Sequence, residues 1–245
     1  MKISFVIPAY NEERHLPQCL AAVERELART PCEAEVIVVN NASTDSTGEV
    51  ARGYSFVRVV DEPHKGLVRA RHAGLAASAG ELIANIDADT MPPEGWLATV
   101  LAEFSEDERL AALSGPFIYY DLPMLHRALT RLFYIAGYLS YLANHYVFRA
   151  GAMLQGGNFV VRRAHLERAG GFDTSIEFYG EDTDVARRIG RVGRVKWTFR
   201  LPMYASGRRL KHEGVILTGA RYAANYFYML ARGKPLTATY TDIRK

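Results

Sequence analysis

Several things are scarce in this chain. Only two of its 245 residues are cysteine, Cys19 and Cys32, too few for a disulfide framework and wrongly spaced for a metal site. That scarcity fits a reducing compartment. Long apolar runs are missing as well. The longest charge-free one, residues 132–148, includes Asn144 and His145 and is shorter than the roughly 20 residues a membrane helix needs. Met1-Lys2 leads directly into Ile3–Ile7, a run too short for a signal peptide and closed by Pro8. One-sided charge is absent, since 30 Lys and Arg against 27 Asp and Glu leave a net +3. Nucleic acid is therefore not an expected partner, whereas an anionic ligand or an acidic membrane surface is compatible. No repeat, low-complexity tract or linker divides the chain. These absences predict one continuous domain in the cytoplasm, with at most peripheral contact at the inner face of the cell membrane.

What is present reads as α/β. Hydrophobic residues at 49% with 23% charged are globular proportions. Short apolar runs at Ile3–Ile7, Glu35–Val39, Phe56–Val60 and Leu82–Ile86 predict strands. Helical patterns over 12–29, 46–52 and 66–78 lie between them, and that alternation predicts crossovers and a mostly parallel sheet. A helix over 95–104 and a strand over 110–119 follow. The second half predicts amphipathic helices over 123–149, rich in aromatics (Phe133, Tyr134, Tyr138, Tyr141, Tyr146, Phe148). A turn into a strand at 155–161, helices over 163–169 and 181–192, a strand over 195–199 and an aromatic helix over 215–230 complete the pattern.

The most informative segment is Asp87-Ala88-Asp89. It ends the apolar run 82–86, so its carboxylates fall where open α/β sheets bind ligands. Residues one apart on a strand point to opposite faces, so the two share a site only if the chain turns, and Pro92-Pro93 are expected to supply the turn. Paired carboxylates repel unless a cation joins them, and a hard divalent ion carrying phosphate fits. A solvated strand-end turn is the plainer alternative.

Six segments together carry a resemblance: Ser4-Phe-Val-Ile-Pro-Ala-Tyr-Asn-Glu12, Val38-Val-Asn-Asn-Ala-Ser-Thr-Asp45, Lys65-Gly-Leu-Val-Arg-Ala-Arg71, Ile86-Asp-Ala-Asp89, Gln155-Gly-Gly-Asn-Phe159 and Gly180-Glu-Asp-Thr-Asp184. In this order they resemble the family 2 inverting glycosyltransferases over residues 3 to about 200. The resemblance implies a single GT-A (Rossmann-like) domain: a nucleotide-sugar half to about residue 110, an acceptor and catalytic half to about 210, and a helical tail. It implies a nucleotide-sugar donor, a divalent metal (Mn2+ or Mg2+), a carbohydrate or lipid-linked acceptor and transfer with inversion. The Q-x-x-R-W motif of processive synthases is absent, which favours adding one sugar. A polyprenyl-phosphate sugar synthase is a narrower version of the same reading. A nucleotidyltransferase would need a glycine-rich, lysine-bearing loop after the first strand, and Pro8-Ala9-Tyr10 is not one. A non-catalytic nucleotide-sugar binder is motivated only by Asn40 and Asn41.

Carried over by position, the resemblance implies that Pro8, Ala9 and Tyr10 border the base, with Tyr10 stacking on it, and that Glu12 reaches the ribose. Asn41 stands where the family has an aspartate that accepts a hydrogen bond from the base. An amide offers a donor and an acceptor, which suits uracil, so a uridine donor is expected. Arg71 matches a donor-side arginine, with a solvated helix face as the alternative, and His64 and Lys65 read as rim charges. Asp87 and Ala88 belong to the donor site and Asp89, with Asp87, to the metal. His212 is a further candidate ligand. Arg208 and Arg209 are expected to close over the diphosphate. Gly156, Gly157, Asn158 and Glu181 fall on the acceptor side. Asp182 is implied as the general base, while Glu181 and Asp184 have the placement of helix caps and Arg188 of a helix-orienting ion pair. The aromatic helices read as core, as a homodimer interface or as a membrane-facing surface.

Overall fold

The computed structural model describes residues 1–143, 153–237 and 242. Four strands, β1 (Ile3–Ala9), β2 (Ala34–Asn41), β3 (Val57–Glu62) and β4 (Leu82–Ile86), pair in parallel in the order β3-β2-β1-β4. They are joined by α1 (Leu16–Arg29), α2 (Thr47–Arg52) and α3 (Leu67–Ala77), because parallel neighbours need long crossovers. The chain steps outward from β1 to β3 and then returns to the other side of β1. A crevice is expected where that order reverses, at the carboxyl ends of β1 and β4. Ala9 ends one of these strands and Asp87 follows the other.

The sheet continues with mixed sense. β8 (Asn158–Arg162) runs antiparallel between β4 and β6 (Leu110–Ser114), and β9 (Arg194–Trp197) lies parallel to β6. Side chains alternate across it. Ile3, Phe5 and Ile7 pack with α1 and α4 (Trp96–Glu106), whereas Val6 packs on the opposite face with α3, α6 (Arg163–Arg168) and α7 (Glu181–Ile189). Two apolar layers thus enclose one sheet.

The predicted strand over 110–119 is two strands. Pro116 cannot donate to a ladder, and a Cβ on Gly115 would stand 2.0 Å from the Leu201 carbonyl oxygen, so the chain breaks there. The second piece, β7 (Phe117–Tyr119), joins a small sheet with β5 (Thr90–Met91) and β10 (Met203–Ala205), in the order β5-β10-β7. Neither β5, β10 nor the short α8 (Arg208–Glu213) has a periodic signature in the sequence. The aromatic helices are α5 (Met124–Ala143) and α9 (Val215–Arg232). The predicted continuation to 149, with Tyr146, Phe148 and Arg149, lies outside the described residues. No helix among the described residues is long and apolar enough to cross a membrane.

Candidate active site

The two aspartates share a site because of a turn that the prolines do not make. Asp87 O accepts from Thr90 N at 3.0 Å and from Thr90 Oγ1 at 2.7 Å, which reverses the chain before Met91. Both carboxylates then line one cavity of about 870 Å3. Ala88, between them, is 2% exposed and turns its methyl into the core, so its expected donor contact is not made by the side chain. β5 leaves that turn directly and pairs with β10, and Ser206 N donates to Asp89 O at 3.2 Å. The small sheet thereby delivers Arg208, at the start of α8, to the metal candidate: Arg208 Nη2 lies 3.0 Å from Asp89 Oδ2 and also pairs with Glu12.

Each aspartate has its own arginine. Arg71 is buried, not on a solvated helix face, and bridges Asp87 at 3.1 Å and Glu181. Its guanidinium also lies 5.2 Å from the Phe159 ring centroid. Breaking a buried pair of this kind costs about 3–5 kcal/mol, because it strands a charge. Arg71 therefore organises the carboxylates from the wall of the cavity that it lines. Glu181 is not a cap either. Gly180 occupies the cap position in the left-handed region, φ 80°, and the Glu181 side chain folds inward to Arg71. Burial pushes its carboxyl up to about 7, against the pull of Arg71.

Asp182 lies beside them on the first turn of α7 and lines the same cavity. Its Oδ2 accepts from Gly156 N at 3.0 Å and its Oδ1 from Thr183 N at 2.7 Å. Burial raises its pKa, and those two N–H groups pull the other way. A carboxylate oriented by backbone and made more basic by burial has the properties of a general base. The glycines serve this cluster. A Cβ on Gly157, at φ 79°, would stand 2.3 Å from Asp87 Oδ2, and one on Gly156 would stand 3.0 Å from Glu181 Oε1. Gly156 lines the cavity. Gly157 is buried and acts by letting Asp87 approach.

Four further residues depart from the contacts expected of them. Asn158 is fully buried; its Nδ2 donates to the carbonyls of Gly115 at 3.0 Å and Leu201 at 2.8 Å, and its Oδ1 accepts from Trp96 Nε1 at 3.1 Å. It anchors the break between β6 and β7 and is not an acceptor contact. Asn41 Nδ2 donates to the carbonyls of Glu62 at 3.3 Å and His64 at 2.8 Å, while its Oδ1 accepts from Gly66 N at 2.7 Å. Both amide hydrogens are committed to the loop before α3, so neither is left to donate to a uracil carbonyl. Glu12 is 2% exposed and pairs with Arg208 and, at 3.2 Å, with His15, so it anchors Arg208 beside the site. His212 is exposed on α8 and joins no cluster of three metal-ligating side chains among the described residues.

The other residues lie at a second cleft, at the large cavity and on α7. Pro8, Ala9 and Tyr10 line a narrow second cleft with Asn41, Lys65, Gly66 and Asp87. It lies at the reversal of strand order, and Lys65 Nζ sits 3.9 Å over the Tyr10 ring. His64 is exposed. Arg209 lines the large cavity, stacked 4.8 Å from the Phe178 centroid and paired with Glu213 at 2.8 Å. Asp184 is a structural ion-pair partner of Arg187 at 3.1 Å and Arg188 at 2.7 Å, and Arg188 ties α7 to the Ala169 and Gly171 carbonyls. Sequence reasoning missed Tyr119, Tyr134 and Tyr222 as cavity walls. Burial raises the pKa of each, so their hydroxyls stay protonated as donors. Only the local richness in aromatics hinted at them.

Both the sequence and the fold match those of known proteins. The model of the family "Glycosyl transferase family 2" matches residues 4–170. The chain belongs to that family. It is 30% identical over 207 residues, 78% of its length, to the probable glycosyltransferase YdaM of Bacillus subtilis. It spans 47% of that relative, about half. The fold is shared with the mannosyltransferase PcManGT of Pyrobaculum calidifontis, solved with GDP-Man and Mn2+, at TM-score 0.73 and 23% identity over 94% of this chain and 64% of that one. Glucosyl-3-phosphoglycerate synthase of Mycobacterium tuberculosis, solved with Mn2+, UDP-Glc and phosphoglyceric acid, aligns at TM-score 0.64 and 20% identity, over 94% of this chain and 80% of that one. The GT-A architecture expected from the motifs is therefore the architecture found.

Proposed function

We propose that this family 2 member transfers one sugar from a nucleoside diphosphate sugar to an acceptor hydroxyl or phosphate, with inversion. The observation that carries the reading is a single cavity floor holding Asp87, Asp89 and the backbone-oriented Asp182. The narrow cleft lined by Pro8, Ala9 and Tyr10 takes the base, and the two cavities meet at Asp87, which lines both. Fold relatives solved with GDP-Man or UDP-Glc and Mn2+ support a donor of this class.

The residues fit a divalent ion. Two carboxylates from one turn face one cavity, and small hard cations are commonly held by one or two carboxylates completed by substrate phosphates and water. Asp89 and Asp87 would hold it. When bound, it neutralises charge on the departing diphosphate. Arg208 stands 3.0 Å from Asp89 and supplies a second positive charge at the same place, suited to gripping phosphate oxygens. Asp182 takes the proton of an acceptor hydroxyl as its oxygen bonds to the anomeric carbon from the face opposite the diphosphate. The bond to the phosphate oxygen breaks, and its electron pair leaves with the nucleoside diphosphate. Glu181 and Arg71 hold the floor in register.

Calorimetry of nucleoside diphosphates with and without Mn2+ tests this reading. Asp89→Asn is expected to abolish the metal-dependent part of binding while the melting transition persists. Undiminished metal-dependent binding in that variant overturns the metal assignment.

A further inference from the structure

The large cavity has a polar floor and an apolar mouth. Beyond Asp182 its walls come from α5 and α9: Leu132, Phe133 and Gly137 on one side and Ile216, Ala220 and Phe227 on the other. The mouth opens onto side chains that a soluble surface normally hides. Leu132 is 62% exposed and Ile216 78%. From there an apolar stripe runs along the outer face of α5, through Leu125 at 70% and Leu139 at 61%. Leu125, Leu132 and Leu139 recur every two turns and so share that face. Contiguous apolar exposure of this kind marks an interaction surface.

The charge on these helices selects the occupant. α5 and α9 contain no aspartate or glutamate, although the chain has 27. They carry Arg127, Arg131, Arg221 and Arg232, of which Arg221 pairs with Glu213 at 2.6 Å. Apolar side chains on helices whose own charges are all cationic suit an anionic bilayer. The apolar mouth is continuous with the catalytic carboxylates, so an occupant that enters it brings its headgroup to Asp182.

We propose that the acceptor is an anionic membrane lipid whose apolar chain lies between α5 and α9, with the stripe on α5 resting on the bilayer. This rests on the transferase reading above and names its acceptor class.

Two measurements on the full chain test it. In vesicle flotation, the protein is expected to rise with phosphatidylcholine–phosphatidylglycerol vesicles and to associate at least about 10-fold less with phosphatidylcholine alone. Leu125→Glu with Leu139→Glu, checked for folding by thermal melt, should lose flotation. Below its micellar concentration, dodecyl phosphate should bind the unmodified protein, and Gly137→Trp, which places an indole where a Cβ meets nothing within 4 Å, should weaken that binding about 10-fold. Flotation independent of lipid charge, no flotation, or concentration-dependent dimers that use the stripe instead overturns the proposal, as does dodecyl phosphate binding indifferent to Gly137→Trp. Titration of UDP and GDP with Mn2+ reads the transferase assignment separately. Nucleotide binding without flotation ends the lipid proposal alone, whereas flotation without nucleotide binding ends the transferase reading and, with it, the acceptor role.

Discussion

The floor and the walls of the large cavity are built by opposite rules. On the floor every carboxylate has a partner: Asp87 and Glu181 share Arg71, Asp89 and Glu12 share Arg208, and Asp182 takes two backbone N–H groups. On the walls α5 and α9 carry no acid at all and leave Leu132 and Ile216 largely exposed. Buried charge is tolerated only when matched, so the floor is rigid and specific. Exposed apolar surface costs little in the fold and is free to serve a partner. A substitution on the floor should therefore affect folding and chemistry together, and one on the outer wall should leave folding intact and act only on what the wall binds.

The largest effect is expected at the shared cation. Arg71→Met leaves Asp87 and Glu181 facing each other without compensation, and about 3–5 kcal/mol of stability should be lost. Chemical denaturation measures it, and a loss below about 1 kcal/mol would show that the two carboxylates are not held by Arg71. Next is the base. Asp182→Asn keeps the size and one acceptor oxygen but removes the basicity, so transfer should fall by about 10²-fold or more with little change in donor affinity. Steady-state kinetics separate the two, and Glu181→Gln is the control that should cost less.

A smaller effect distinguishes matched from titrating charge. Burial holds Glu181 near 7 in the folded protein, above its ordinary 4.5. Between those values the folded state binds the extra proton, so stability is greatest at or below the lower value and falls as pH rises through about 7. Melting temperature should decline over that window, and Glu181→Gln should flatten the decline. An unchanged slope in the variant would assign the titration to another group. The smallest effect belongs to the wall. Leu139→Gln, on the exposed stripe, should change stability by no more than about 0.5 kcal/mol, as exposed positions do. A loss of 2 kcal/mol there would mean that the stripe is packed, and the contrast between floor and wall would fail.

The strand ends were legible and the partners were not. Asp87, Asp89 and Asp182 could be placed because apolar runs and a helix start put them at known edges of an α/β sheet. Asn158 and Asn41 were misassigned for one reason: a buried amide that satisfies backbone breaks looks, in sequence, like one that reads a ligand. Asn158 binds the Gly115 and Leu201 carbonyls, and residue 201 is remote from 158 along the chain. The partners of Arg71 are hidden for the same reason, since its charge is matched by Glu181, which only tertiary packing brings near.

The sequence by itself determined the alternation of strands and helices, the family and the carboxylates available for chemistry, because hydrophobic period and turn residues are local properties. Tertiary structure alone decided which cation faces which anion, the turn that unites Asp87 with Asp89, and the small sheet that brings Arg208 to them. It also decided that α5 and α9 leave an apolar mouth open above a charged floor. Those outcomes depend on contacts between segments far apart in the chain, and no local pattern encodes a distance.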